Sequence, residues 1–188
     1  MLRYLAALTI VLLLGVVLLR VILLRKAGIR AMHFGRIDKT DFLILPFALF
    51  YFYTIFAAAF NLPRVSTQEF FHSEAMAWIG VSLCFIGLAL LVISLISFGK
   101  SFRVGIDVEH ADRLITTGIF AFTRNPIYVA FGLVLLGQFL AFPNWILLIY
   151  LAVGIWLFHR QVLREEEFLR KHYGHEYVRY CDRVRRYL

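Results

Sequence analysis

Residues 2–24 form an apolar run interrupted only by Arg3 near its start and Arg20 near its end. A hydrocarbon core ~30 Å thick takes about 20 apolar residues in a helix, so this run is long enough to cross one. Both arginines lie close enough to its ends for their stems to carry the charge back to the interface. The run exceeds the roughly 7 to 15 residues of a signal-peptide core and has no small-residue cleavage site before the following basic stretch, so an uncleaved helix is expected.

Four further apolar runs follow. Residues 42–60 hold Pro46 near the start, where a helix tolerates proline, and are stopped by Asn61, Leu62 and Pro63. Residues 75–98 carry Gly80, Gly87, Ser82, Ala89, Ser94 and Ser97, small side chains that allow close helix contact. Residues 127–142 and 145–158 are separated by Pro143 and Asn144 alone. At ~1.5 Å per residue neither of these crosses the core comfortably, which predicts a tight helical hairpin that borrows flanking residues or thins the bilayer. Hydrophobic residues make up 61% of the 188 positions, beyond the roughly half of a soluble domain, and leave no room for a separate soluble domain. The expected fold is an all-α polytopic membrane protein with about five transmembrane helices, a C-terminal helical hairpin and a cytoplasmic helical tail. It divides into residues 1–98, with about three spans, and 99–188, with a long loop, the hairpin and the tail.

The formal charge of +8 is distributed in a way that argues for topology and against nucleic acid. Arg20, Arg25, Lys26, Arg30, Arg36 and Lys39 lie between the first two spans. Lys100, Arg103, Arg113 and Arg124 lie in the long loop, and eight more basic residues lie in the tail. Five spans put these eighteen on one side and leave only Arg3 and Arg64 on the other, so the N-terminus is expected outside and the tail in the cytoplasm, in a bacterial-type inner membrane. Cys84 and Cys181 are too few for a disulfide framework.

Two polar segments remain for chemistry, 99–128 and 159–186, and in this topology they share a side. Arg124, Asn125, Pro126 and Tyr128 stand where the fourth run begins; alone they fit a helix start with an interfacial arginine and tyrosine. Glu165, Glu166 and Glu167 are adjacent carboxylates that repel unless solvated or matched. A solvated face shared with Arg160, Arg164, Arg170 and Lys171 accounts for them as well as a site does. Gln161 and Glu165, spaced i, i+4, share a helix face, and Glu166 points about 100° away. Gly174 is expected to break the tail into two segments. His172, His175 and Glu176 lack a third histidine at a zinc-like spacing, so no metal is expected. There is no G-x-S-x-G, no P-loop and no dinucleotide-binding glycine pattern, which disfavours hydrolases, nucleoside-triphosphate enzymes and Rossmann cofactors.

Leu114, Ile115, Gly118, Phe120, Arg124, Asn125, Pro126 and Tyr128, followed by Glu165, Glu166, Leu169, Tyr173, Gly174, Tyr177 and Tyr180, form an ordered two-part pattern. The pattern resembles the integral membrane methyltransferase superfamily that includes isoprenylcysteine carboxyl methyltransferases and phospholipid N-methyltransferases. The resemblance implies an S-adenosylmethionine pocket in which Arg124 serves the cofactor's carboxylate, Glu165 its ammonium or ribose, and the Asp112, Arg113, Leu114 and Ile115 backbone its adenine, with Phe120, Asn125, Pro126 and Tyr128 completing the site. It also implies an acceptor side at Arg160, Gln161, Arg164 and Glu166. The implied activity is methylation of a membrane lipid or lipidated acceptor, with phospholipid ethanolamine N-methylation as the alternative. A non-enzymatic scaffold or transporter subunit is the alternative of another class; the spans hold almost no mid-span ionisable residue, which disfavours the transporter. The oligomeric state is not legible. Two positions depart from the relatives. Asn125 stands where many carry histidine, and Gln161 stands where the isoprenylcysteine enzymes look to carry an arginine for the substrate carboxylate.

Overall fold

A computed structural model describes residues 1–26, 44–63, 69–98 and 114–188. Among these residues the chain forms helices α1 (Leu2–Lys26), α2 (Ile44–Phe60), α3 (Glu74–Phe98), α4 (Pro126–Ala141), α5 (Trp145–Tyr173) and α6 (His175–Arg183), with a 3-10 turn at Gly118–Ala121 before α4. No strand occurs among them, only isolated bridges joining Glu69 to Asn144 and Thr123 to Arg185.

The helix ends follow from local chemistry. Pro46 sits in the first turn of α2, and Asn61, at φ +55°, takes the left-handed conformation that stops it. The Ser73 hydroxyl accepts from the Met76 amide at 3.3 Å ahead of α3. Pro126 opens α4, and the Asn144 side chain accepts from the Leu147 amide at 3.0 Å to start α5. Between them residues 142–144 make the tight turn expected of the hairpin. Its second arm, however, does not end at Phe158. α5 continues unbroken through the charged residues to Tyr173, because after Phe158 the sequence offers good helix formers and no glycine or proline until Gly174. At φ +52° Gly174 ends it and lets α6 turn away.

α1, α3 and α5 are long and apolar enough to cross a membrane, while α2 and α4, at 17 and 16 residues, are shorter. α3 and α4 run antiparallel in close contact. A Cβ placed on Gly80 would lie 2.5 Å from the Gly137 carbonyl oxygen, and one on Gly87 would lie 2.8 Å from that of Ala130. In lipid the helices gain little from hydrophobic burial, so this backbone proximity, with its dispersion contacts, is what the small residues of α3 provide. α1 is tied to α4 by Gln138, whose amide donates to the Ala6 carbonyl at 2.8 Å and to the Thr9 hydroxyl at 3.0 Å.

The bundle therefore has two distinct ends. At one, Glu69 pairs with Arg3 at 3.8 Å, and the Phe70 amide donates to the Pro143 carbonyl at 2.8 Å. The other gathers the end of α1, the end of α3, residues 118–128 and the charged half of α5 with α6.

Candidate functional site

Gly118 opens the turn ahead of α4 at φ +64°, and a Cβ there would meet the Ser97 hydroxyl oxygen at 2.8 Å, so the chain passes close against the end of α3. The turn buries Phe120 edge-on against Phe98, with centroids 4.5 Å apart, and the Tyr180 hydroxyl donates to the Phe120 carbonyl at 2.7 Å. Burial pushes the Tyr180 phenol up to about 12, which keeps it a donor at neutral pH.

The segment after α6 then returns to the same turn. The Arg124 amide donates to the Arg185 carbonyl at 3.0 Å, and the Arg186 carbonyl accepts from the Asn125 side-chain amide at 3.1 Å and from the Thr123 hydroxyl at 3.4 Å. This interlock sets the start of α4 against the C-terminal residues.

The three adjacent carboxylates have separate partners. Glu166 is buried: Arg124 Nη2 lies 3.2 Å from its Oε1, while Arg186 Nη2 and Nε lie 2.9 and 3.0 Å from its Oε2. The Asn125 amide donates to Oε1 at 3.4 Å. A buried carboxylate is costly to desolvate, and these donors offset that cost. The hydrogen bond that Arg186 itself donates to Glu166 raises the Arg186 guanidinium above its ordinary pKa. Glu165 turns the other way. Its Oε1 accepts from the Tyr128 hydroxyl at 2.5 Å and from the Gln161 amide at 3.1 Å. Glu167 is exposed and pairs with Lys171 at 2.6 Å.

Glu165, Arg124, Asn125, Pro126, Tyr128 and Phe120 line one cavity of about 300 Å³, closed by apolar side chains of α1, α3 and α4 and by Arg20. That size is at the low end of small-molecule pockets, ~300 to 1,000 Å³. Its charged groups are of both signs, Arg20 and Arg124 against Glu165. Arg124 Nε is buried and has no hydrogen-bond partner among the described residues, although the same guanidinium reaches Glu166 through Nη2. A buried donor left unmatched costs about 1 to 3 kcal/mol, which a ligand acceptor would recover. A small molecule carrying a carboxylate, an ammonium and an apolar or aromatic part matches this donor set.

Six of the residues named from sequence for the cofactor thus come together, across about forty positions of chain. Leu114 and Ile115 are half-buried in the stretch before the turn and do not line the cavity, and Asp112 and Arg113 lie outside the described residues. The acceptor-side residues are dispersed. Arg160 is exposed with its guanidinium 5.8 Å from the Trp156 ring centroid, and Arg164 is exposed. Gln161 reaches Glu165 but does not line the cavity, and Glu166 sits behind it in the ion cluster. Arg20, Thr123 and Arg186 were not singled out from sequence. Arg186 carries no local signal, standing beside Arg183 and Arg185 in a basic tail.

The model of the family described as phospholipid methyltransferase matches residues 75–176. Curated relatives are named protein-S-isoprenylcysteine O-methyltransferase. Form B of Arabidopsis thaliana is 31% identical over 108 residues, 56% of this chain and 55% of that protein. The Rattus norvegicus protein is 27% identical over 128 residues, 66% of this chain and 45% of its own length. That of Schizosaccharomyces pombe is 30% identical over 105 residues, 54% and 44% respectively. The chain spans about half the length of the curated relatives it matches. No solved structure matches it.

Proposed function

The chain belongs to the phospholipid methyltransferase family, and on that premise we propose that it is an integral membrane S-adenosylmethionine-dependent methyltransferase acting on a lipid-like acceptor. The observation that carries the reading is the convergence of Phe120, Arg124, Asn125, Pro126, Tyr128 and Glu165 on one cavity, with an unmatched buried donor on Arg124.

When bound, S-adenosylmethionine supplies a methyl group activated by its sulfonium. Arg124 offers Nε to the carboxylate of such a ligand, and Glu165 offers an anion to its ammonium. Tyr128 and Gln161 hold the Glu165 carboxylate in one orientation through the bonds at 2.5 and 3.1 Å. Phe98, Phe131 and Leu95 keep the remaining wall apolar, which limits water near the reacting atoms. Residues 99–188 supply Arg124, Asn125, Tyr128 and Glu165, and residues 1–98 supply Arg20 with Val17, Leu91, Leu95 and Phe98, so both halves of the chain line the cavity.

For the acceptor, the position where the resemblance implies an arginine holds the neutral Gln161, already donating to Glu165, and Arg160 and Arg164 are exposed. This favours an amine or another uncharged headgroup, such as phospholipid ethanolamine, over a prenylcysteine carboxylate, which needs a cation to hold it and no proton removal. The purified chain in lipid, given methyl-labelled S-adenosylmethionine, is expected to label phosphatidylethanolamine at least about tenfold faster than a prenylcysteine analogue, a difference of ~1.4 kcal/mol in barrier. The reverse order would assign the relatives' named acceptor to this chain, and no label in either would leave a non-enzymatic membrane protein as the reading.

The same proposal gives the chain five spans, α2 and α4 crossing with flanking residues, with the N-terminus outside and the tail cytoplasmic. In a Cys181→Ser background, Leu62→Cys and Val178→Cys are expected to react with an impermeant maleimide from opposite faces of the membrane, Leu62→Cys from outside. Labelling of both from one face overturns the five-span arrangement.

A further inference from the structure

Arg124 is the cation that the proposed cofactor site offers from the motif, yet it is already held by a carboxylate, 3.2 Å from Glu166. An isolated pair of this kind is formally neutral and attracts an incoming carboxylate weakly. Here the other oxygen of Glu166 is taken by Arg186, at 2.9 and 3.0 Å, so one negative charge is shared by two guanidiniums and the cluster keeps a net formal charge of plus one. The Arg186 side chain is 38% exposed and that of Arg124 10%, so the excess charge sits beside a wall from which water is largely excluded on the Arg124 side.

We propose that Arg186 is a positioning residue of the cofactor site: by sharing Glu166 it leaves Arg124 with net positive charge for the carboxylate of the bound amino-acid moiety. This rests on the reading of the cavity as an S-adenosylmethionine site. Its substance is electrostatic, because what fixes the backbone of Arg186 is independent of its side chain. The Arg186 carbonyl accepts from Asn125 and Thr123, and the neighbouring Arg185 carbonyl accepts from the Arg124 amide. Truncating the side chain leaves those bonds in place. The other charged groups lining the cavity, Arg20 and Glu165, are untouched by the change.

The test uses the full chain in lipid nanodiscs, calorimetry, and two probes that differ only in the carboxylate: S-adenosylmethionine and its decarboxylated form. Arg186→Ala is expected to weaken binding of the first about tenfold and to leave the second within about twofold. Arg186→Gln, which keeps a donor for Glu166 without the charge, is expected to lose as much, and Arg186→Lys to recover most of it. Adding Glu166→Gln to Arg186→Ala removes the neutralising carboxylate and is expected to restore affinity for the carboxylate-bearing probe. Equal weakening of both probes would show that Arg186 only supports the fold, and unchanged binding of S-adenosylmethionine in Arg186→Ala would show that the charge is not used. Either result overturns the inference alone. A parent protein that binds neither probe overturns the cofactor reading, and the inference with it.

Discussion

Glu166→Ala is expected to destabilise the protein by about 3 kcal/mol, the low end of the range for breaking a buried ion pair from one side. The substitution leaves the Arg124 guanidinium, only 10% exposed, without its carboxylate, and removes at the same time the anion that separates it from Arg186. Arg124 cannot relieve this by losing its proton, since arginine stays charged under all ordinary conditions. Arg186 is more exposed and water shields it, which is why the value belongs at the low end. Unfolding of the reconstituted protein, followed by tryptophan fluorescence in denaturant, measures the loss. Glu167→Ala is the control: that side chain is exposed and pairs only with Lys171 on its own helix, so its unfolding midpoint is expected to stay where it is. If Glu166→Ala unfolds at the parent midpoint, the cluster does not hold the C-terminal segment to the start of α4. Glu166, expected on the acceptor side, is surrounded by Arg124, Arg186 and Asn125, an arrangement that suits a structural and electrostatic task.

Why Glu166 reads differently in sequence and in space illustrates what a chain of this kind reveals. Local signals are legible: Pro126 as a helix start, Asn61 and Gly174 as stops, and the i, i+4 relation that puts Gln161 against Glu165. The angular separation of Glu165 from Glu166 also follows from helix geometry alone. What helix geometry does not contain is the partner. Arg186 approaches Glu166 from twenty positions further on, after two helix ends and a turn, and in the sequence it is one of several tail arginines that the positive-inside argument consumes as bulk charge. Arg20 was hidden in the same way, as an arginine near a span end, where a snorkelling role is the default. The helical character of the tail up to Gly174 is legible in its composition, but its continuity with the apolar arm is not, for a third reason. Hydropathy marks where a helix leaves apolar surroundings and says nothing about where its hydrogen bonding stops, so an apolar arm ending at Phe158 and a helix ending at Tyr173 are both correct descriptions of different properties.

The neighbouring carboxylate is expected to behave in the opposite way. Glu165→Gln should weaken S-adenosylmethionine binding at least about tenfold, equivalent to ~1.4 kcal/mol, just under the ~1.5 to 3 kcal/mol of a hydrogen bond to a charged group. Its effect on stability should be small, because the amide keeps an oxygen for the Tyr128 hydroxyl and for Gln161, and no buried cation depends on it. Glu165→Ala should bind no better than Glu165→Gln while costing more stability, since the half-buried Tyr128 hydroxyl loses its acceptor. Tyr128→Phe separates orientation from charge: the carboxylate remains and its firmest donor is gone, so a loss of only about threefold in affinity is expected, with the Gln161 contact still holding one oxygen. Calorimetry on the three variants, with unfolding midpoints measured alongside, reads both quantities. A Glu165→Gln protein that binds the cofactor as the parent does would mean that the charge is not used by the ligand's ammonium. The cavity would then be set by Arg124 and its apolar wall, and the first tail glutamate would serve to anchor Tyr128 at the start of α4.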